Sequence, residues 1–184
     1  GLFAQSAVIR CQMCVARGDF ETIKFTMDEV VKVSRENETP SQEDVAIEHL
    51  SSSLLYLLRF NEARRTVAQG LILARKIADR EHEAGLIQVL AYCDLVEGNI
   101  EAAIEGLELS LQIGQHIGAI FVKVFSGWML SMVRQFQGNY EAALQVAEPI
   151  LQDTLPFESM MPFMVVPMLG ITGSLYLEIS PKFH

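Results

Sequence analysis

Apolar side chains return along this chain at helical rather than strand spacing. Leu50, Leu90 and Leu130 each precede a small residue (Ser51, Ala91 or Ser131), and Met27, Val67, Leu107 and Ala147 hold one common place farther on. Between these apolar runs a turn signature recurs: G-D-F-E at Gly18, L-R-F-N-E-A at Leu58, G-N-I-E-A-A at Gly98 and G-N-Y-E-A-A at Gly138. The interval is 40 residues each time. Phe20, Phe60, Ile100 and Tyr140 share one place in the unit, and Ile23, Ala63, Ala103 and Ala143 share the next. Gly followed by Asp or Asn reverses the chain, and an apolar residue with an acid then opens a new helix, where a carboxylate suits the positive end of the dipole. Each copy therefore reads as a helical hairpin.

The pattern predicts helices over about 2–17, 20–36, 42–57, 60–79, 81–97, 100–116, 118–137 and 140–153, with a ninth over about 160–178. Pro167 falls inside the ninth and is expected to kink it or delay its start, since its ring removes a donor and clashes one turn back. Seven residues before each turn sits Cys11, Ser51, Ala91 or Ser131, small enough for the two helices of a hairpin to approach closely.

A small residue followed by G-[DN]-[FYI]-E-x-A resembles the tetratricopeptide repeat (TPR). The 40-residue period is similar to the longer variant found in MalT-like transcriptional activators and signal-transduction ATPases of bacteria. The stretch A-R-K-I-A-D-R-E-H-E-A at Ala74–Ala84 carries most of that likeness. Leu58 in place of the turn Gly, and Arg10 where a large apolar residue is usual, depart from the pattern. The resemblance implies an all-α fold, a superhelical solenoid of about four and a half TPR-like hairpins forming a single domain. The repeats would span about 1–40, 41–80, 81–120 and 121–160, with a partial fifth over 161–184. It further implies a protein- or peptide-binding scaffold or sensor module within a larger bacterial regulatory protein, serving signalling or transcription regulation. The alternative is a small-ligand-sensing regulatory domain of a transcriptional activator or signalling ATPase.

Charge narrows the partners. The 184 residues carry a net charge of -9, which argues against direct nucleic-acid binding. The excess is local: residues 81–181 hold 12 acids against only Lys123 and Arg134. In the first half Arg59, Arg64, Arg65, Arg75, Lys76 and Arg80 bunch together and read as a solvated helix face. Three cysteines fit a reducing, cytoplasmic setting. The sequon at Asn37 matters only in a secreted chain. Starting on Gly1 without an initiator Met, the chain looks like a piece of a longer protein. Residues 160–177 lack charge, but Pro162, Pro167, Gly170 and Gly173 interrupt them, so a buried helix is expected and not a membrane span.

Nothing in the spacing nominates catalysis, and the expectation is a chain that is not an enzyme and takes no cofactor and no metal. Cys11-x-x-Cys14 could in principle close a disulfide or share an ion, yet no second pair is present and Cys11 holds the small-residue place of a packed helix. His49, His82, His116 and His184 are scattered, with no carboxylate at a fixed spacing; His82 and His116 fall near helix ends and read as surface residues. Gly170-x-x-Gly173-Ser174 lacks the Lys of a phosphate loop.

The resemblance puts the first helix of each hairpin on a concave face and thereby places Glu48, Tyr56, Gln88, Tyr92, Trp128, Met132, Phe136 and Tyr176 as partner-binding residues. With acidic charge nearby, they suit an apolar or amphipathic peptide with a basic flank; in the alternative, Tyr92, Trp128 and Phe136 line a ligand pocket. At the C-terminal end Met160, Met161, Phe163 and Met164, with Val165 and Val166, lack a partner helix in the repeat frame. They are expected to contact a missing repeat or to form a homodimer through the last helix.

Overall fold

The computed structural model describes residues 2–157 and 162–180, apart from the side chains of 2–5, 8, 12, 16, 157, 163 and 164. It is all-α. In chain order the helices are α1 (Leu2–Arg17), α2 (Phe20–Glu36), α3 (Pro40–Tyr56), α4 (Phe60–Ile77), α5 (Arg80–Glu97), α6 (Ile100–Ile117), α7 (Ile120–Phe136), α8 (Tyr140–Thr154) and α9 (Pro162–Ile179), with a short 3-10 turn over Leu155–Phe157. These bounds lie close to the predicted helices. α3 starts earlier than expected because Pro40 occupies its first turn, where the missing N–H costs nothing. α7 starts later, because Gly118 takes a left-handed conformation and caps α6. α9 begins at Pro162 and continues through Pro167.

A left-handed residue stands at every twentieth position: Gly18, Glu38, Leu58, Ala78, Gly98, Gly118 and Gly138. At each such turn two backbone bonds tie off the ending helix. Gly138 N–H donates to Gln135 O at 2.9 Å and Asn139 N–H to Arg134 O at 2.9 Å, and Leu58 and Arg59 do the same to Leu55 and Leu54. The next residue caps the new helix at three of these turns: Asp19, Asp79 and Asn139 accept from the backbone N–H of Thr22, His82 and Ala142, whereas the Asn99 side chain makes no such bond.

By contacts the chain divides into two compact units, residues 1–98 and 99–184. In the first, α1 to α5 pack in sequence, and the odd helices also touch one another, α1 on α3 and α3 on α5. Met27, Ile47, Val67 and Leu86 fill its core, with Ala63 and Ala74 fully buried between helices. Gly70 lets α4 approach both neighbours: a Cβ there would lie 2.6 Å from Ile47 Cγ2 and 2.8 Å from Leu86 Cδ1. In the second unit α6 to α9 pack in sequence and α7 also meets α9. Its core holds Leu107, Leu130, Ala143, Ala147, Met168 and Leu175.

The small-residue places do what close helix approach requires. Cys11, Ser51, Ala91 and Ser131 are all buried, and Ser131 Oγ donates to Ala143 O of the facing helix at 3.2 Å. No helix among the described residues is long and apolar enough to cross a membrane.

Candidate functional site

The odd-numbered helices carry the residues nominated for partner binding. In the first unit Glu48 and Tyr56 stand on α3 and Gln88 and Tyr92 on α5; in the second, Trp128, Met132 and Phe136 stand on α7 and Tyr176 on α9. Spacings of four and eight residues keep each set on one helix face. None of the eight is buried. Tyr56, Tyr92, Phe136 and Tyr176 are exposed, Phe136 to 85%, while Glu48, Gln88, Trp128 and Met132 are half-buried. Some already have intramolecular partners. The Tyr56 ring stacks on Phe20 with centroids 4.5 Å apart, and the Tyr176 hydroxyl donates to Glu148. A cavity of about 70 Å³ beside this stack is lined by Cys11, Ile23, His49, Ser52 and Tyr56, room for a water or two and not for a sugar.

Charge on these units is largely spoken for. Lys123 pairs with Asp153 at 2.7 Å and Arg134 with Glu108 at 2.5 Å. In the first unit Arg64 bridges Asp94 and Glu97, Arg59 forks onto Glu62, and Arg75 and Arg80 converge on the buried Glu83. The cluster of basic residues is thus mostly consumed in ion pairs.

Of the C-terminal residues expected to lack a partner, Met160 and Met161, and the side chains of Phe163 and Met164, lie outside the described residues. Val165 corrects the expectation: it is buried, because it belongs with Met168, Ile171 and Leu175 to the face that α9 lays on α8 and α7. Val166, Leu169 and Leu177 on the same helix are exposed.

A second constellation departs from the expectation of scattered, unpartnered histidines. His82 is not a bare surface residue, since three carboxylates surround it. Its Nδ1 lies 3.0 Å from Asp79 Oδ2 and 3.7 Å from Asp44 Oδ2, and its Nε2 lies 3.3 Å from Glu48 Oε2. The fold brings them together because α3 packs directly on α5, while Asp79 is the cap at the start of α5. Gly85, one turn on from His82, leaves room for Glu48, whose Oε1 would be 2.4 Å from a Cβ there.

The electrostatics of this cluster arise from its burial. Burial pushes the Asp44 carboxyl up to about 6 against the pull of His82, with Asp79 and Glu43 adding repulsion. Glu48 is pushed up to about 7 by burial and by the carboxylates of Asp44, Glu81 and Asp79, against the pull of His82. Burial alone would lower His82, but Glu48, Asp79 and Asp44 carry it above the ordinary imidazole range. Asp79 resists burial through the His82 N–H bond and stays below the usual carboxylate value. Burial lowers His49, and His82 lowers it further. One signal for the cluster was present in the sequence: the 40-residue column that holds Asp44 otherwise reads Ala4, Ala84, Val124 and Met164.

No family model matches the chain, and no curated protein matches it. Solved structures do. The nearly identical TPR-like repeats of a candidate kinesin light chain from Podosopora anserina superpose with a TM-score of 0.65 at 14% identity, over 95% of this chain and 85% of that one. BtubC (BKLC) from P. vanneervenii gives 0.66 at 19% identity, over 86% of this chain and 66% of that one. At such identities the likeness shows the fold, a TPR-like helical solenoid, which agrees with the expected fold class.

Proposed function

We propose that this chain binds a protein or peptide along the exposed faces of its odd-numbered helices, and that its activity is binding and not catalysis. One observation carries this reading. Among the described residues, seven aromatic side chains are well exposed, namely Phe25, Tyr56, Tyr92, Phe121, Phe125, Phe136 and Tyr176, and all but Phe25 stand on odd-numbered helices. Exposed aromatics cost solubility and contribute little to this core, whereas they dominate the energetics of partner interfaces. Both bases of the stretch 81–181 are tied in ion pairs, so the acidic surplus there favours an apolar or amphipathic partner with a basic flank.

The 40-residue period and the Ala74–Ala84 linker support a finer placement, as a scaffold or sensor segment of a MalT-like bacterial regulator working in the cytoplasm. The test is selection of binders from a random peptide library, read by Trp128 fluorescence and by calorimetry. Amphipathic sequences with Lys or Arg flanks are expected, with affinity lost in a Phe125→Ala and Phe136→Ala double variant of unchanged helicity. Recovery of only acidic peptides, or undiminished affinity in the double variant, would move the interface elsewhere.

A further inference from the structure

A carboxylate removed from water needs donors or a cation. Asp44 has no solvent exposure, and neither of its oxygens accepts a hydrogen bond; His82 Nδ1 is also shielded and unbonded. Yet these atoms lie close together. One ligand atom each from Asp44, Asp79 and His82 lies within 4.8 Å of the others. Around a tetrahedral ion with metal–ligand bonds of about 2.0–2.1 Å, neighbouring ligand atoms stand roughly 3.3 Å apart. The separations from Nδ1, 3.0 Å to Asp79 Oδ2 and 3.7 Å to Asp44 Oδ2, straddle that value.

The supporting contacts fit the same chemistry. Asp79 spends Oδ1 on the His82 backbone N–H at 3.1 Å, while its Oδ2 faces His82 Nδ1 at 3.0 Å. Glu48 Oε2, 3.3 Å from Nε2, favours a proton on that nitrogen and so presents the lone pair of Nδ1 to the cluster, the carboxylate–histidine arrangement that orients metal-bound imidazoles. An imidazole nitrogen with two carboxylates selects a zinc-class ion over magnesium or calcium, which demand an all-oxygen shell. Two carboxylates would also neutralise a divalent charge.

We propose that Asp44, Asp79 and His82 bind one divalent transition-metal ion of the zinc class, His82 through Nδ1, with Glu48 as the positioning residue. The ion ties α3 to the start of α5 and so clamps the second hairpin to the third. Asp79 and His82 are partly exposed, so the fourth position faces outward and takes water.

The experiment uses the full 184-residue chain stripped by chelator and dialysis, then titrated with Zn²⁺ in competition with a chromophoric chelator, with a thermal melt at each point. One equivalent of Zn²⁺ is expected to be withheld from the chelator and to raise the melting temperature. Asp44→Asn and His82→Gln should each weaken binding by more than about tenfold, and Glu48→Gln by about 10–100-fold, the range for a residue that orients a ligand. Asn fits the Asp44 site without a charge, so that variant should fold in metal-free buffer at least as stably as the parent and lose only the response to zinc. Replacing Cys11 and Cys14 with Ser should change nothing. Absence of stoichiometric binding would overturn the proposal, as would binding that survives Asp44→Asn and His82→Gln, or binding lost with the cysteine pair.

Discussion

The twenty-residue rhythm of left-handed turns permits a test in which only the backbone changes. Ala78 holds φ 59° and ψ 31° at a turn between hairpins with its side chain in solvent, and Gly138 holds φ 74° at the turn inside a hairpin. Both turns use the same pair of bonds, Ala78 N–H to Arg75 O with Asp79 N–H to Ala74 O, and Gly138 N–H to Gln135 O with Asn139 N–H to Arg134 O. A residue bearing a Cβ loses roughly 1–2 kcal/mol in the left-handed region. Glycine escapes that cost but has about 0.4–1 kcal/mol more chain entropy to lose on folding. The balance favours glycine by roughly 0.5–1 kcal/mol.

Ala78→Gly should therefore stabilise the chain by about that amount, and Gly138→Ala should destabilise it by about the same. No side-chain effect clouds the second variant, because a Cβ on Gly138 meets nothing within 4 Å. Urea denaturation monitored by far-UV circular dichroism reads both, provided the slopes stay equal to that of the parent. Effects of the same sign in the two variants, or none in either, would mean that the turns relax out of the left-handed conformation and that the rhythm does not hold the hairpins.

The packing sets further outcomes. Gly127→Ala would drive a Cβ to 2.0 Å from Ile150 Cδ1 and should cost about 1–3 kcal/mol in a thermal melt, as should Ala103→Trp or Ala143→Trp at the fully buried alanines; unchanged melting would place those residues outside the helix contacts. In the chelator-stripped chain Asp44, flanked by Glu43, Asp79 and His82, titrates near 6 and so higher than when unfolded; its contribution is full below about pH 4 and lost as pH rises through 6. Stability should accordingly fall between about pH 4 and 6 by up to ~2–3 kcal/mol, and Asp44→Asn should flatten that slope in urea titrations. If α9 serves self-association, replacing the exposed Val166 and Leu169 with Glu should convert a dimer to a monomer in sedimentation equilibrium, and a parent that is monomeric throughout would remove that role.

The helices and their hairpin pairing were legible because every copy repeats the same local physics. Gly18, Gly98 and Gly138 announce the turns, Asp19 and Asn139 cap the helices that begin there, and Ala63, Ala103 and Ala143 return wherever two helices must touch. The turns between hairpins are harder to see. Only Gly118 among Glu38, Ala78 and Gly118 carries the residue type that signals a left-handed backbone, so expected helix ends there differ from the observed ones by one or two residues. The histidine cluster escapes for a different reason. His82 meets Asp44 and Glu48 across more than thirty residues of sequence, through the packing of α3 on α5, and no spacing within one helix encodes that encounter.

In an array of repeats each column of equivalent positions provides its own control, and the energy of a departure tells how the structure must answer it. Leu58 breaks the glycine column, yet it is 72% exposed and costs only the backbone preference of one turn, which the hairpin tolerates without any compensating contact. Asp44 breaks a column whose other described members, Ala84 and Val124, are buried and apolar. A charge placed there loses its hydration altogether, a penalty of several kcal/mol that no tolerance of surface variation covers. Glu83, also buried, is answered by Arg75 and Arg80. Asp44 has no arginine, no backbone donor and no hydroxyl among the described residues, only the His82 imidazole, whose Nδ1 lies 3.7 Å away and 3.0 Å from a second carboxylate, Asp79. A proton can answer that burial in acid, and the His82 imidazole, held above its ordinary range by these carboxylates, offsets part of the charge near neutrality; the cation proposed among Asp44, Asp79 and His82 would answer it with two charges and ligand geometry.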